Sequence, residues 1–316
     1  MEYKNIKPIL IIAFNRPKKI SKIFSTLKKY KNLEIFVSID GPRNQDDFSK
    51  ILKVESIINK LLPNNSLVVK KHDQNLGCSL HCTSAINWFF SNVEMGIIIE
   101  DDIDINNEFL VFCSRNLEVY KNQNLIFGIS GSPYISILNN NKESFFLSNY
   151  PNIWGWATWR NRWQGYSLQM NSTSFWERFI NIWKCHENVL IVIYWLMVIE
   201  LFRTSKVDGW DHQLYYLMWK KKSYFLIPEK SQTKNIGFDS EGTYMINKPD
   251  WYENIVIQKK HLNLINVNGL YKSTVYDKIC EKNIYKINFL NISKLFLKLV
   301  FYRPKIKNYE VVKHYY

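Results

Sequence analysis

The first 130 residues alternate between short apolar runs and amphipathic helical patterns, and this alternation restricts the fold more than any other feature of the chain. Apolar residues at helical spacing fill the gaps between the runs, and Pro17 occupies a first helical position. Alternation at this spacing predicts an α/β fold, with a mostly parallel central sheet and helices on both faces. The predicted strands are 9–14, 34–39, 67–69, 96–100 and 126–130.

After about residue 145 the alternation stops. Of the eleven tryptophans, nine fall between Trp154 and Trp219, and helical patterns cover 175–183 and 189–202. We therefore expect a helical, tryptophan-rich lobe packed on the first half. The predicted domain is 1–284, with halves at about 1–130 and 131–284. A basic amphipathic tail, 285–316, follows it and alternates Lys with Ile, Leu and Phe.

The net charge of +14 calls for an anionic partner, and 46% hydrophobic residues exclude a disordered chain. From Lys259 onward there are twelve Lys or Arg against three acids. Nucleic acid is not expected as a partner, because none of the short signatures of its binding modules is found. The tail suits either an anionic membrane surface or a solvated basic end.

The N-terminal apolar run is about six residues, too short for a signal-peptide core. The stretch 189–202 contains Glu200 and is shorter than the ~20 residues of a membrane span. Five scattered cysteines indicate a reducing compartment, and a zinc site at Cys78, His81 and Cys82 lacks a second ligand pair. The expected location is cytoplasmic, with a peripheral position on the inner face of a membrane as the alternative.

Ligands of open α/β sheets bind at the carboxyl edge of the strands, so the residues that follow each strand are the candidates. No G-x-G-x-x-G follows the first strand, and no G-x-x-x-x-G-K-[ST] occurs, which disfavours dinucleotide and P-loop sites. The strand ends present Asn15 and Arg16, then Asp40, then Asn75 to Gly77, and then Glu100, Asp101 and Asp102.

The three consecutive acids are the sharpest of these features. Carboxylates at the end of a buried apolar strand are costly unless they are neutralised. A hard divalent cation would neutralise them and bridge a diphosphate. The alternative is that Asp102 and Asp104 cap the helix that contains Phe109. Likewise, Asp40 has the alternative of a plain Asp-Gly-Pro turn, and Arg16 that of a solvated helix face.

An ordered set of segments resembles a known family: AFNRP, SIDGPRN, HDQNLGCSLHCTSAINWFF, GIIIEDDI, GWATWR and GWDHQ…NIGF. It is similar to bacterial nucleotide-diphospho-sugar transferases of the GT-A fold, family 2-like, and more distantly to the N-acetylglucosaminyltransferase I type. The resemblance covers about residues 7–245. It implies an inverting, Mn²⁺- or Mg²⁺-dependent glycosyltransferase that uses a nucleotide-sugar donor, a UDP-sugar, in surface polysaccharide or lipooligosaccharide synthesis. The acceptor would be a glycan or a lipid-linked glycan.

The resemblance also implies roles on the donor side. Asp40 would contact the nucleotide base, flanked by Asn15 and Arg16. Asp101 would hold the ribose or donor sugar, Glu100 would support the sugar, and Asp102 would bind the metal. The Asn75 to Gly77 loop and His81 would meet the diphosphate, with His81 in place of a basic residue that similar chains carry. Tyr244 stands where similar chains often carry a His.

On the acceptor side, Asp211 matches the general base, and Asp208 is the alternative. The base assignment competes with a helix-cap role for Asp211. Trp154 and Trp156 are expected to line the acceptor cleft, because indole faces pack against sugar rings.

Two rival functions stay open at the level of sequence. A sugar nucleotidyltransferase would carry a glycine-rich basic loop after the first strand, and AFNRPKKI has no glycine. A basic binding module for membrane or nucleic acid would keep its activity after alanine replaced Asp101 and Asp102.

Overall fold

The computed structural model describes residues 5–61, 66–136, 145–204, 208–239, 248–257 and 270–301. Tyr244 and the part 302–316 of the predicted tail lie outside these ranges. The first half contains all five predicted strands and one short strand, β5, that was not predicted. In chain order its elements are β1 (Ile9–Ala13), α1 (Pro17–Leu27), β2 (Glu34–Ile39), α2 (Gln45–Leu61), β3 (Ser66–Lys71), α3 (Cys78–Asn92), β4 (Met95–Glu100), β5 (Ile103–Ile105), α4 (Asn107–Val119) and β6 (Ile126–Ser130).

The second half contains strands as well as the expected helices. Its elements are β7 (Phe145–Ser148), β8 (Trp156–Trp159), α5 (Arg160–Trp163), α6 (Phe175–His186), α7 (Val189–Arg203), α8 (Asp211–Lys220), β9 (Tyr224–Pro228), β10 (Thr233–Asn235), α9 (Thr274–Ile279) and α10 (Phe289–Phe301). A 3₁₀ turn lies at Asp250–Asn254, and a π-helical turn at Cys280–Ile284. None of the described helices is both long and apolar enough to span a membrane.

Eight strands form the central sheet in the order β3-β2-β1-β4-β8-β6-β9-β7. Strands β3, β2, β1 and β4 pair in parallel. Strand β8 runs antiparallel to both β4 and β6, so β6 and its parallel neighbour β9 share the direction of the first four. Six strands therefore run one way, while β8 and β7 run the other. The predicted α/β class is confirmed, and the mostly parallel sheet is consistent with a GT-A-like fold.

Alternate strand residues feed two hydrophobic cores, one on each face of the sheet. Ile9 and Ile11 of β1 pack with α1, α2 and α4, whereas Leu10 and Ile12 pack with α3, α7 and α8. Helices therefore cover both faces, as predicted. The second half does not simply pack on the first, because β7, β8 and β9 complete the same sheet. Their four- and five-residue aromatic runs are too short to show a period of two.

A small second sheet brings a late segment to the acidic strand end. Strand β10 pairs antiparallel with β5, and the Ile236 N–H donates to the Asp102 backbone carbonyl at 2.8 Å. A Cβ added to Gly237 would lie 2.4 Å from Asp102 Oδ2. The sequence segments GIIIEDDI and NIGF are thus neighbours in space, although more than a hundred residues separate them.

Candidate functional site

Arg16 and Asp101 form a buried ion pair at the carboxyl edge of the sheet. An Arg16 Nη1–H donates to Asp101 Oδ1 at 2.5 Å, and the Phe14 backbone N–H donates to Asp101 Oδ2 at 2.9 Å. Asp102 Oδ2 lies 3.6 Å from the same guanidinium nitrogen. Burial by itself would lower the pKa of Arg16, but Asp101 and Asp102 raise it. Arg16 is therefore a permanent cation inside the site and not a solvated helix-face residue.

This cation does not compensate the whole acidic cluster. Burial and then the neighbouring Asp102, Asp101 and Asp211 raise the pKa of Glu100 to about 8. Burial and the charge of Asp101 raise the pKa of Asp102 to about 6, although Arg16 and Lys19 act in the opposite direction. The end of β4 is left short of positive charge, and the carboxyl groups of Glu100 and Asp102 hold their protons to an unusually high pH.

Asp211, from the other half of the chain, acts electrostatically on the same strand end. It is the first residue of α8, and its charge raises the pKa of both Glu100 and Tyr134. Burial alone would raise the pKa of Asp211 as well, but His212, with Nδ1 2.8 Å from Asp211 Oδ1, lowers it overall. The side chain is 34% exposed, so an ionised carboxylate is open to solvent at the cleft.

The helix-cap alternative for Asp211 is partly realised, because backbone N–H groups of Asp211 and His212 also contact its carboxylate. Those contacts favour the ionised form and leave a carboxylate face open. Asp208 is held differently: its Oδ1 accepts a short hydrogen bond from the Ser79 hydroxyl of α3. That bond ties the loop before α8 to the first half of the chain, so Asp208 is engaged within the protein, whereas the Asp211 side chain is 34% exposed.

The Asp40 carboxyl group is occupied by the protein itself. It accepts hydrogen bonds from the backbone N–H groups of Gly41 (2.9 Å), Leu76 (2.8 Å) and Gly77 (3.2 Å), and from Asn75 Nδ2 (2.9 Å). Burial raises its pKa to about 6, against the effect of these backbone donors. With 4% exposure and its acceptor capacity used, Asp40 is not presented to a nucleotide base. The predicted base contact is corrected: Asp40 fixes the 75–77 loop.

Two glycines permit this arrangement. A Cβ at Gly41 would lie 2.3 Å from the Gln74 backbone carbon, so only glycine allows the two strand-end loops to pack this closely. Gly77 has φ of 78°, which glycine adopts without strain, and it directly precedes α3. The Asn75 to Gly77 loop is therefore a built part of the strand edge, held by Asp40.

Asn15 lies on the rim of the edge beside a residue that the sequence reasoning missed, Arg43. Asn15 Nδ2 donates to Asp47 Oδ1 at 2.5 Å, and Arg43 also grips Asp47 through Nε at 2.7 Å. The Arg43 guanidinium lies 5.0 Å from the centre of the Phe14 ring and is half exposed. The quoted segment SIDGPRN contains Arg43, so its position just after β2 was a usable signal.

His81 is not a diphosphate contact in this structure. Its side chain is buried, with Nε2 3.0 Å from the Ser38 hydroxyl. Burial, with His72 and Lys70 nearby, lowers its pKa to about 3, so the ring carries no charge at neutral pH. His81 is corrected to a core residue beneath the 75–77 loop.

The two predicted acceptor tryptophans differ. Trp156 is 1% exposed and packs in the core with Trp210, ring centres 6.0 Å apart, so its predicted cleft position is wrong. Trp154 is half-buried and stacks on Trp251 at 5.5 Å. It also packs edge-on with Tyr134, the residue whose pKa Asp211 raises. In this aromatic cluster, Trp154, Trp251 and Tyr134, Tyr134 is the member that lies within electrostatic reach of Asp211.

Sequence reasoning missed two members of the aromatic cluster. Tyr134 follows β6, so the rule that located the other strand ends would have found it. Trp251 had no local signal, because only the fold brings it from a distant part of the chain onto Trp154.

Whether a divalent metal fits this site depends on the acidic tip, the three acids at 100–102. In the described part of the chain, no three His, Cys, Asp or Glu side chains are grouped to hold a metal by themselves. Mg²⁺ commonly binds through one or two carboxylates and completes its shell with waters and substrate phosphates. The part-exposed Asp102, in an undercompensated acidic cluster, fits that mode. The capping alternative fails, since Asn106 caps α4 by accepting from the Phe109 N–H at 2.9 Å.

Comparison with solved structures finds remote likenesses, among them a bifunctional glycosyltransferase. No protein-family model matches the chain, and no curated protein matches it. A solved structure of the bifunctional glycosyltransferase WbbM, in its apo form, matches with 11% identity and a TM-score of 0.34. The match covers 94% of this chain and 45% of that chain, so the chain spans less than half the length of WbbM. At this TM-score the interpretation of the site rests on its own geometry.

Proposed function

We propose that the chain is a glycosyltransferase that moves a sugar from a nucleotide diphosphate donor, a UDP-sugar, to a glycan or lipid-linked acceptor. One observation carries the proposal. Besides burial, the charges of Asp102 and of Asp211, one from each half of the chain, raise the pKa of Glu100, and Arg16 offsets only part of this effect. Such a cluster suits a cation and the phosphates that come with it.

Asp102 would hold Mn²⁺ or Mg²⁺ together with the donor's diphosphate. When bound, the metal supplies positive charge where the departing nucleoside diphosphate develops negative charge. Arg16 is fixed by Asp101 and adds a permanent positive charge beside that position. Arg43 and Phe14 flank the outer rim, where a guanidinium and an aromatic face suit phosphate and base.

On the acceptor side, Asp211 suits the role of general base. The acceptor hydroxyl oxygen attacks the anomeric carbon, and its proton passes to the Asp211 carboxylate. The bond from the anomeric carbon to the diphosphate oxygen breaks, and the nucleoside diphosphate leaves with the electron pair. A single base opposite the leaving group predicts inversion at the anomeric carbon. The aromatic cluster next to Asp211 offers faces for the acceptor's sugar rings.

A thermal-shift screen of nucleotide sugars, each with and without Mn²⁺, tests the proposal. Stabilisation should be metal-dependent and specific to one donor, reaching about 2.7 kcal/mol at a hundredfold excess over Kd. Asp102→Asn should abolish the metal-dependent part. Asp46→Asn, an exposed carboxylate on α2 paired with Lys50, is the matched control and should keep it. A chain that no nucleotide sugar stabilises would contradict the proposal.

The same preparation separates the rival functions. A transferase releases nucleoside diphosphate from a nucleotide sugar, whereas a nucleotidyltransferase releases pyrophosphate from a nucleoside triphosphate and a sugar phosphate. Pyrophosphate release would favour the rival enzyme. In bacterial surface polysaccharide or lipooligosaccharide synthesis, the acceptor would be a glycan on a lipid carrier or on lipid A, and such acceptors are the ones to test first.

A further inference from the structure

Helix α10 has apolar residues on two sides, whereas packing against one hydrophobic core requires only one apolar side. Ile292, Leu295 and Leu299 recur at spacings of three and four residues and are the more buried ones, on the side that packs against α7. A second set points away from the protein: Phe289, Leu290, Phe296, Leu297, Val300 and Phe301. Phe289 and Phe301 are 78% and 74% exposed. We call this second set the outer face of α10.

Helix α6, which also packs against α7, carries a similar exposed stripe. Phe175, Trp176, Ile180 and Trp183 lie on its outer side, and Trp176 is 69% exposed. The aromatic rings contact one another along the stripe, as in the stacked Phe179–Trp183 pair at 6.3 Å. Two helices on the same central helix therefore leave large apolar side chains in solvent, an arrangement typical of an interaction surface.

The charge around α10 selects the kind of partner. Lys294 and Lys298 are exposed on α10, adjacent to the outer face, and the helix contains no acid. Between Lys282 and Tyr309 the sequence has seven Lys or Arg and no Asp or Glu. A second copy of the chain would bring the same positive charge to the contact, and like charges oppose association. An anionic partner is favoured instead.

We propose that the outer face of α10 docks on an anionic lipid bilayer. Phe and Leu side chains enter the boundary between headgroups and acyl chains, and Lys294 and Lys298 extend to lipid phosphates. Aromatic residues favour this boundary, and basic residues add attraction to anionic lipids. The proposal stands apart from the proposed function, because it uses none of the cleft residues.

Vesicle flotation of the full chain tests the docking. Vesicles of phosphatidylcholine alone are compared with vesicles that also contain phosphatidylglycerol, at low and high salt. The chain should bind the anionic vesicles and should be released by salt. Phe296→Ser with Phe301→Ser, and separately Lys294→Gln with Lys298→Gln, should each weaken binding about tenfold. Phe48→Ser, an exposed phenylalanine on α2, is the matched control and should bind as the parent does.

The possible outcomes divide clearly. Equal floating of all variants, or no binding to anionic vesicles, would overturn the proposal. So would a dimer in sedimentation velocity that Phe296→Ser with Phe301→Ser dissociates, because a second copy would then cover the surface. Unchanged melting temperatures show that the variants are folded. Unchanged turnover on a water-soluble acceptor keeps the result separate from the catalytic cleft.

Discussion

Asp40 and the acidic tip at 100–102 end two strands, β2 and β4, that flank β1 in the same sheet, yet their surroundings are opposite. Asp40 receives hydrogen bonds from three backbone N–H groups and one side-chain amide. Glu100 and Asp102 share mainly the charge of Arg16, and the pKa of each is raised. An acid whose acceptor capacity is filled by the protein holds structure, whereas one that is short of donors suits an added cation.

The difference follows from what comes after each strand. The end of β2 meets a loop in which glycines at 41 and 77 allow backbone N–H groups to turn toward Asp40. The end of β4 runs almost directly into β5, whose backbone groups pair with β10. Much of the backbone near the tip is therefore already paired, and it offers the carboxyl groups few donors, such as Phe14 N–H to Asp101 and the N–H of Asp102 to its own side chain.

The largest effect is expected at the tip and its opposing base. Asp102→Asn and Asp211→Asn should each lower kcat by about 10²–10⁴-fold, because they remove a metal ligand and a general base. Asp102→Asn should not destabilise the fold, since it removes a negative charge from a crowded cluster. Asp211→Asn should cost a little stability, because it loses the charge pairing with His212. Turnover and melting temperature of the two variants, beside Asp46→Asn, measure this. If either variant lost activity only because it unfolded, the acids would have a structural role like that of Asp40.

The opposite result is expected for Asp40. Asp40→Ala should lower the free energy of unfolding by about 2–4 kcal/mol, because several buried donors lose their acceptor. Asp40→Asn should lose less, since it keeps one carbonyl oxygen. Denaturant unfolding of both variants is the measurement. Full stability together with a specific loss of nucleotide binding would restore the role that the sequence resemblance implied for Asp40.

The strands and helices of the first half could be predicted from the sequence, because the strands are apolar and the helices are amphipathic over many residues. It was insufficient for β7, β8 and β9, where short aromatic runs such as WATW fit a helix or a strand equally well. Only strand pairing decides there. Strand β8, for example, is fixed by its register with Gly96 and Gly128 on either side.

At the site, sequence order located the residues but not their exposure. Arg16, Asp101 and Asp102 meet at the end of β4, and Asp211 lies near enough to act electrostatically on Glu100. His81 and Trp156 have suitable side chains at plausible positions, but both are buried, and burial depends on neighbours from distant segments. Trp251 shows the converse, because a residue without any local signal joins the cleft through tertiary packing.

A smaller effect is expected from pH. The pKa of Glu100 is raised to about 8, so between its usual value and pH 8 the folded chain holds a proton that the unfolded chain has lost. The stability of the ligand-free protein should therefore fall as pH rises through this window. Glu100→Gln should remove the part of the fall between about pH 6 and 8, above the pKa of about 6 of Asp40 and Asp102, and raise stability at pH 8.5 by about 1 kcal/mol. Melting curves from pH 5 to 9 would contradict this if both proteins showed the same slope.

The smallest effects are expected from substitutions of Trp154 and Trp156, which compare a half-buried tryptophan with a buried one. Within the described residues, no acceptor lies within hydrogen-bond distance of the buried Trp156 Nε1, so Trp156→Phe loses packing but no hydrogen bond. We expect a cost of about 1 kcal/mol in stability and no change in KM. Trp154→Phe should instead raise the acceptor KM a few-fold with stability kept, because Trp154 borders Asp211 through Tyr134. Acceptor saturation kinetics and thermal melts of the two variants measure these effects. If the acceptor KM changed in Trp156→Phe but not in Trp154→Phe, the acceptor site would not lie at the aromatic cluster.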